Sequence, residues 1–343
     1  PTMIRRLYDT SGINPQTVPL DDPATMSIFT DISALGIETD DILEQTGAAA
    51  IPEFGTKFVR GMLTDTQPHT FAELVRISGL SHGTDVWLNN AADIIKRGDG
   101  TLKDVICVRD DITLYLMQRG LPPKTSFTIS ESVRKGKGLK PEWEELMREH
   151  SVPEWYITSC KTIKYMFPRA HAVAYVTNAF RIAWFKVHRP LDFYGAYFAI
   201  RSKAFDGTYM GDGDAEVCKR YRNLKAQGKR SSLEDDVMST LEICHEFYKR
   251  GFTFLPVDIY RSDVKNFLIE GNALRMPFTS IPGLGEAAAQ SIVEERKNGR
   301  FMSAEDIISR CDKVSKAVIE SLDMCGALSG IPKTNQLNLF DGF

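Results

Sequence analysis

The 343-residue sequence has no C-x-x-C pair. Its six cysteines, Cys107, Cys160, Cys218, Cys244, Cys311 and Cys325, are never closer than 14 residues, so neither a zinc knuckle nor a dithiol redox motif is indicated. Buried free thiols in a reducing cytosol are the expectation. Long hydrophobic runs are also missing. The most apolar stretch, Ala172 to Val187, is too short to cross a bilayer and contains Arg181, so it reads as a buried helix. No signal peptide is expected, and the absence of a G-x-S-x-G elbow leaves a Ser/His/Asp hydrolase without support. Charge of either sign is not in excess: 42 Lys and Arg against 45 Asp and Glu give a net charge of −3, which at first argues against a polyanionic partner. The chain begins at Pro1 without a methionine, and the expectation is an excised portion of a longer protein.

What is present is globular. Hydrophobic residues make up 43% and charged residues 25%, and the length suggests two or three domains of roughly 150 residues each. The charge is unevenly spread. Residues 1–123 carry 10 basic and 17 acidic side chains, residues 124–190 carry 12 and 6, and residues 191–343 carry 20 and 22. The middle segment is therefore either a solvated charged face or a local field that holds polyanions. Helix signals dominate the first 250 residues, with starts at Asp40–Leu43 and at Thr70, where Glu73 completes capping-box spacing. Further helices are expected at 56–64, 84–96, 101–118, 141–149, 153–165, 171–188 and 233–250. One hairpin stands out, Asn266–Glu270 and Ala273–Phe278 joined by Gly271-Asn272. Residues 206–214 and 226–232 read as flexible loops. The first holds Asp212-x-Asp214, whose spacing suits a divalent ion but which, inside a glycine loop with no apolar strand before it, reads as a solvated turn rather than a metal site.

Four motifs carry chemistry. Ile281-Pro282-Gly283-Leu284-Gly285 precedes a strong helix former, and two glycines around one apolar residue give a tight turn with free N–H groups that bind phosphate without reading bases. This is a helix-hairpin-helix pattern, with Gly283, Leu284 and Gly285 as backbone-binding candidates, although a plain capped turn would share the spelling. A second helix pair follows, from Ser303 to Leu322, closing at Gly326. Near the C-terminus, Gln336, Leu337, Leu339 and Phe340 set apolar anchors in a polar tail, which favours a partner pocket over a tail folded onto its own domain. The basic middle combines the glycine-spaced loop Arg134-Lys135-Gly136-Lys137-Gly138 with Lys161, Lys164, Arg169 and His171, able to bring charge and backbone to a phosphate chain. His171, Tyr175 and Asn178 share one face of the following helix, and they need either core partners or a base or sugar lying against them. The turn Ser81-His82-Gly83-Thr84-Asp85 offers a compact hydrogen-bonding wall, although simple capping of the next helix would explain it as well.

Taken together, Phe167-Pro-Arg-Ala-His-Ala-Val-Ala-Tyr175 and Ala183-Trp-Phe-Lys-Val-His-Arg-Pro190 resemble the fingers of bacterial C-family replicative DNA polymerases. Ile51–Arg60, Ile77–Trp87 and Arg134–Leu139 resemble the PolC-type DNA polymerase III α subunit of Gram-positive bacteria, and the hairpin motif and the Gln336–Phe340 tail fit that family's duplex-binding and clamp-binding ends. The resemblance implies a mainly α fold: a multi-helix fingers domain at 1–250, an α+β module with tandem helix-hairpin-helix and a β-hairpin at 251–330, and a tail at 331–343 with the clamp peptide. It implies template-directed addition of deoxynucleotides to a primer 3′ end, with Ser81, His82, Gly83, Thr84 and Asp85 lining the nucleotide pocket. Arg109, Lys135, Lys137, Lys161, Lys164, Arg169, His171 and Tyr175 are then nucleotide or template contacts; for Arg109, held by Asp110-Asp111, an ordinary ion pair is nearly as good a reading. Magnesium would be held by palm aspartates upstream of Pro1, so no catalytic residue or metal ligand is expected in this chain, which alone would be inactive. The implied partners are primer-template DNA, deoxynucleoside triphosphates, the β sliding clamp and the replisome, with no membrane, in the bacterial cytoplasm at the nucleoid. The alternative is a non-catalytic DNA-binding adaptor that recruits a clamp. A metal hydrolase built on Asp212 and Asp214 has little support.

Overall fold

A computed structural model describes residues 2–335, so the tail residues Gln336, Leu337, Leu339 and Phe340 lie outside the described residues. The chain divides into two compact units. Of the described residues, the first comprises 16–35 and 45–184, the second 2–15, 36–44 and 185–335. The architecture is mainly α, as the residue patterns suggested, with one small sheet.

In the first unit the helices are closed by side-chain caps where the sequence supplies them. Thr70 Oγ1 accepts from the Glu73 N–H, while the Glu73 carboxylate accepts from the His69 and Thr70 N–H groups, so the capping box forms around the helix Phe71–His82. The core includes Phe29, whose ring meets both Phe54 and Phe180, each of the three fully buried and each contributing about 2–3 kcal/mol. The helix Arg169–His188 alternates faces. Ala172, Val176, Ala179 and Phe180 are buried, whereas His171, Ala174, Tyr175 and Asn178 face solvent. Among the described residues no helix is long and apolar enough to cross a membrane.

In the second unit the helix Pro190–Ile200 is buried almost throughout, because its Tyr194 and Phe198 meet Phe205, Phe247, Phe254 and Phe267 in one aromatic cluster. Three strands, β1 (Thr253–Leu255), β2 (Leu268–Glu270) and β3 (Ala273–Arg275), form a sheet of order β1-β3-β2. The hairpin expected from Gly271-Asn272 is β2-β3, in register Glu270 to Ala273. The parallel β1 had no sequence signal beyond a three-residue run, and its partner lies 20 residues away. After the hairpin come the helices Glu286–Glu295, Ala304–Arg310 and Lys316–Met324, the last two capped by Ser303 and Ser315.

Several expected elements differ. Residues 40–43 form a turn rather than a helix start, because the Asp40 carboxylate captures the N–H groups of Ile42 and Leu43 at 2.8 and 2.9 Å and so competes with helical bonding. The helix expected over 101–118 begins only at Arg109, since Asp104 closes a turn on Thr101 and Asp111 caps the N–H groups of Cys107 and Val108. Residues 206–214 are not an open loop. Asp206 caps the short helix Gly207–Met210, and Asp214 opens the helix Asp214–Lys225.

Candidate nucleic-acid interface

The first unit gathers most of the sequence-nominated residues by backbone contact. At the end of the capping-box helix, Gly83 lets the chain close on a neighbour: a methyl group there would lie 2.8 Å from the Tyr165 carbonyl oxygen. Thr84 can therefore donate its N–H to Tyr165 O at 2.9 Å while its own carbonyl accepts from the Lys164 N–H at 3.0 Å. On the other side, Gly136 adopts φ +69° with its Cα hydrogens against the Lys164 carbonyl, a geometry only glycine meets without strain. The loop bearing Lys135 and Lys137 thus rests on the backbone of Lys164. That loop is closed internally by Gly136 N–H to Val133 O and by Ser132 Oγ to Gly138 O, both at 2.9 Å. Arg109 N–H donates to Phe167 O at 3.0 Å and Arg169 N–H to Asp110 Oδ2 at 2.8 Å, which fastens the next helix start to the same strip.

Aromatic rings line this strip. Phe167 is the hub: His82 stacks on it at 5.1 Å, and Tyr165 and His171 meet it edge-on at 5.9 and 5.0 Å. Tyr175 continues the row edge-on to His171 at 4.8 Å, and Tyr165, His171 and Tyr175 are exposed. The His82 ring Nε2 pairs with Glu53, and that hydrogen bond raises the imidazole pKa against the opposing effect of burial.

Carboxylates position most of the cations. Glu131 accepts from Arg134 at 2.9 and 3.0 Å and from Arg109 at 3.2 Å, with Lys135 Nζ at 3.4 Å. The Arg134 hydrogen bonds, with those of Arg109 and Lys135, hold its pKa down at about 2 despite partial burial. Arg109 also donates to Asp110 at 3.0 Å, whereas Asp111 pairs with Arg76 and Arg169 instead. Burial raises the Asp110 pKa, but the Arg169 N–H and the Arg109 guanidinium outweigh that and leave it below its ordinary value. Arg169 reaches Asp111 at 2.6 Å. Among the described residues, the exposed Lys137 and Lys164 stand without an ion pair.

Not every nominated residue joins this strip. Ser81 spends its hydroxyl donor on Ser78 O at 3.0 Å. Asp85 is exposed at φ +55°, and its carbonyl accepts from Asn90. Lys161 pairs with Glu144 at 3.0 Å on the neighbouring helix Pro141–Glu149, an ordinary surface bridge. Sequence reasoning did not nominate Glu53, Glu131 or Phe167 as site residues. Phe167 and Glu53 lay inside motifs already noted, but a hub and an ion pair 29 residues apart in sequence have no local signature.

In the second unit, Gly283 takes φ +82° and Leu284 is buried as the pin of the turn, while Gly285 starts the helix Glu286–Glu295 with no side-chain cap. The first-turn N–H groups there are free of side-chain acceptors, the arrangement that receives a phosphate. Glu286, in the same turn, pairs with Lys265 at 3.0 Å.

Residues 1–151 match the finger domain of the bacterial DNA polymerase III alpha subunit, and residues 251–337 match a helix-hairpin-helix motif. Over 341 residues, 99% of the chain, it is 53% identical to the PolC-type DNA polymerase III of Clostridium perfringens. It is 52% identical to the PolC-type DNA polymerase III of Bacillus subtilis over 341 residues and of Thermotoga maritima over 340. The chain spans about a quarter of the length of these curated relatives, 24 or 25%. A finger domain, a helix-hairpin-helix segment and this level of identity along nearly its whole length mean that the chain belongs to the PolC-type DNA polymerase III family.

Proposed function

We propose that this chain supplies the fingers and the duplex-binding end of a replicative DNA polymerase that adds deoxynucleotides to a primer 3′ end. By role, residues 1–250 hold the incoming nucleotide and template, residues 251–330 hold duplex DNA, and residues 331–343 carry the peptide Gln336–Phe340 for the β sliding clamp in the replisome. One observation carries the reading: Thr84, the Lys135–Lys137 loop and Lys164 are locked together by backbone contacts, and the His171–Tyr175 row joins them through the Phe167 ring. Exposed rings beside unpaired lysines suit bases stacked along a phosphate chain, with stacking worth about 1–3 kcal/mol per base.

In this role Lys137 and Lys164 neutralise phosphate, Arg109 and Arg169 are aimed by Asp110, Asp111 and Glu131, and Tyr175 and His171 present flat surfaces to bases. Gly283 to Gly285 grip the duplex backbone through N–H groups without reading sequence. The contribution to phosphoryl transfer is positioning and charge stabilisation. Magnesium, which such a polymerase uses, finds no ligands at this strip: Asp110, Asp111 and Glu131 are each engaged by arginines or capping N–H groups. Its carboxylates would come from outside this chain. The location would be the bacterial cytoplasm, at the nucleoid.

The test is a binding and extension assay on the 343-residue chain. It should bind primer-template DNA with an affinity that falls steeply as salt rises, and should not extend the primer when magnesium and deoxynucleotides are added. Extension by the chain alone would contradict the assignment. A second reading, a DNA-binding adaptor that recruits a clamp, draws on the Gly283–Gly285 turn and the tail alone; it needs no nucleotide contact in the first unit.

A further inference from the structure

Away from that strip, three potential metal ligands converge in the second unit. Asp214 and Cys218 lie one turn apart on the helix Asp214–Lys225, and His245 faces them from the helix Ser232–Lys249 packed alongside. The His245 ring is 4% exposed. Its Nδ1 donates to Asp214 Oδ1 at 2.6 Å, and Cys218 Sγ sits 3.3 Å from the same nitrogen and 3.6 Å from the same oxygen. Its Nε2 donates to Asp40 Oδ2 at 2.7 Å, and Asp40 is itself fixed by the N–H groups of Ile42 and Leu43.

We propose that Asp214, Cys218 and His245 bind a zinc ion, with Asp40 orienting the histidine and water filling the fourth position. Zinc–nitrogen and zinc–oxygen distances of about 2.0–2.1 Å and a zinc–sulfur distance of about 2.3 Å give tetrahedral edges of roughly 3.5 Å to sulfur and 3.3 Å between nitrogen and oxygen. The two edges to sulfur already have that length. Only the Asp214–His245 edge must widen, by roughly 0.7 Å, and Asp214 has room to move, since its side chain is 38% exposed. That exposure also opens the fourth position to water. Binding displaces the Nδ1 proton and the thiol proton, so the cation's two charges replace two protons. The Nε2–H stays on Asp40, the carboxylate–histidine–metal arrangement that fixes the ring tautomer and strengthens the ligand. A sulfur, nitrogen and oxygen donor set selects zinc over magnesium or calcium, which take oxygen alone. Asp212 takes no part, so the D-x-D spacing is incidental.

The experiment is dialysis of the 343-residue chain against zinc, with metal content measured by mass spectrometry, and parallel loading with cobalt as a spectroscopic probe. One zinc per chain is expected, together with a tetrahedral cobalt spectrum carrying a thiolate charge-transfer band. Cys218→Ser, nearly isosteric, should abolish that band, and Cys325→Ser should leave it unchanged. Asp40→Asn should weaken zinc binding by about 10- to 100-fold. Circular dichroism of each metal-free variant separates loss of a ligand from loss of fold, and Cys218→Ser carries the test if Asp40→Asn does not fold. A wild-type chain that retains no zinc, or a Cys218→Ser chain that keeps the charge-transfer band, overturns the proposal.

Discussion

Replacing Gly136 with alanine puts a methyl group against the carbonyl of Lys164, with contacts of 3.1 Å to its carbon and 3.2 Å to its Cα and a closer one still to its oxygen. Gly138, two residues on, has nearly the same left-handed backbone, φ +67° against +69°, but a methyl group there meets nothing within 4 Å. The two substitutions therefore share the conformational cost, about 1–2 kcal/mol, and differ only in the clash. Because the clashing atoms are backbone, relief requires the loop to lift by roughly 1 Å, adding about 1–3 kcal/mol as in an overpacked core. Lifting it also carries Lys135 and Lys137 away from Lys164. Urea unfolding should show Gly136→Ala destabilised beyond Gly138→Ala by that second amount, and fluorescence anisotropy should show weaker primer-template binding for Gly136→Ala alone. Equal midpoints and equal DNA affinities for the two variants would refute the claim that this loop is seated on Lys164.

The Glu131 carboxyl, held at about 2 by Arg134 and its other partners, lies below the ordinary value of about 4.3. Its contribution to stability is complete above that ordinary value and lost as pH falls towards 2; Glu131→Gln should flatten the decline in urea midpoint between those limits. In the second unit, Lys186 and Glu246 are both 0% exposed and paired at 2.8 Å, with the Tyr194 hydroxyl donating to the same carboxylate at 2.6 Å. Lys186→Met should cost about 3–5 kcal/mol in chemical denaturation, because it strands a buried charge, and a cost under 1 kcal/mol would show that the pair is not what neutralises Glu246. Deleting Gln336–Phe340 should abolish association with the sliding clamp in a pull-down while DNA binding through the Gly283–Gly285 turn persists; unchanged clamp affinity would sink the peptide assignment.

Short-range chemistry was readable in the residues. The Thr70–Glu73 capping box, the Gly271-Asn272 hairpin and the helix after Gly285 each rest on contacts within a few positions, and each formed as expected. The helix at 101–118 started late and the one at 40–43 did not form, because Asp104, Asp111 and Asp40 bond to nearby N–H groups and outcompete helix initiation. Such competition depends on which rotamer wins and is invisible in periodicity. The candidate strip was half legible. The basic glycine loop, Lys164 and the His171–Tyr175 face could be nominated from spacing and resemblance, but not the Thr84–Tyr165 bridge or the Phe167 hub, which join segments about 80 residues apart. On the helix Arg169–His188, His171, Tyr175 and Asn178 are exposed together with Val173 and Ala174, while Ala172, Val176, Ala179 and Phe180 are buried. The Asp214–Cys218–His245 group was missed for the same reason, since His245 joins the Asp214–Cys218 pair from a separate helix 27 residues further on.

The central claim, that this strip contacts nucleotide or template during synthesis, is tested most directly by single-nucleotide incorporation in the intact polymerase carrying Lys164→Ala or His171→Ala. A charge-assisted contact to phosphate is worth about 1.5–3 kcal/mol, so Lys164→Ala should lower kcat/KM for the templated nucleotide by at least about tenfold, and His171→Ala should lower it measurably, with clamp association unchanged. Wild-type incorporation by both variants would contradict the account and favour the clamp-recruiting adaptor.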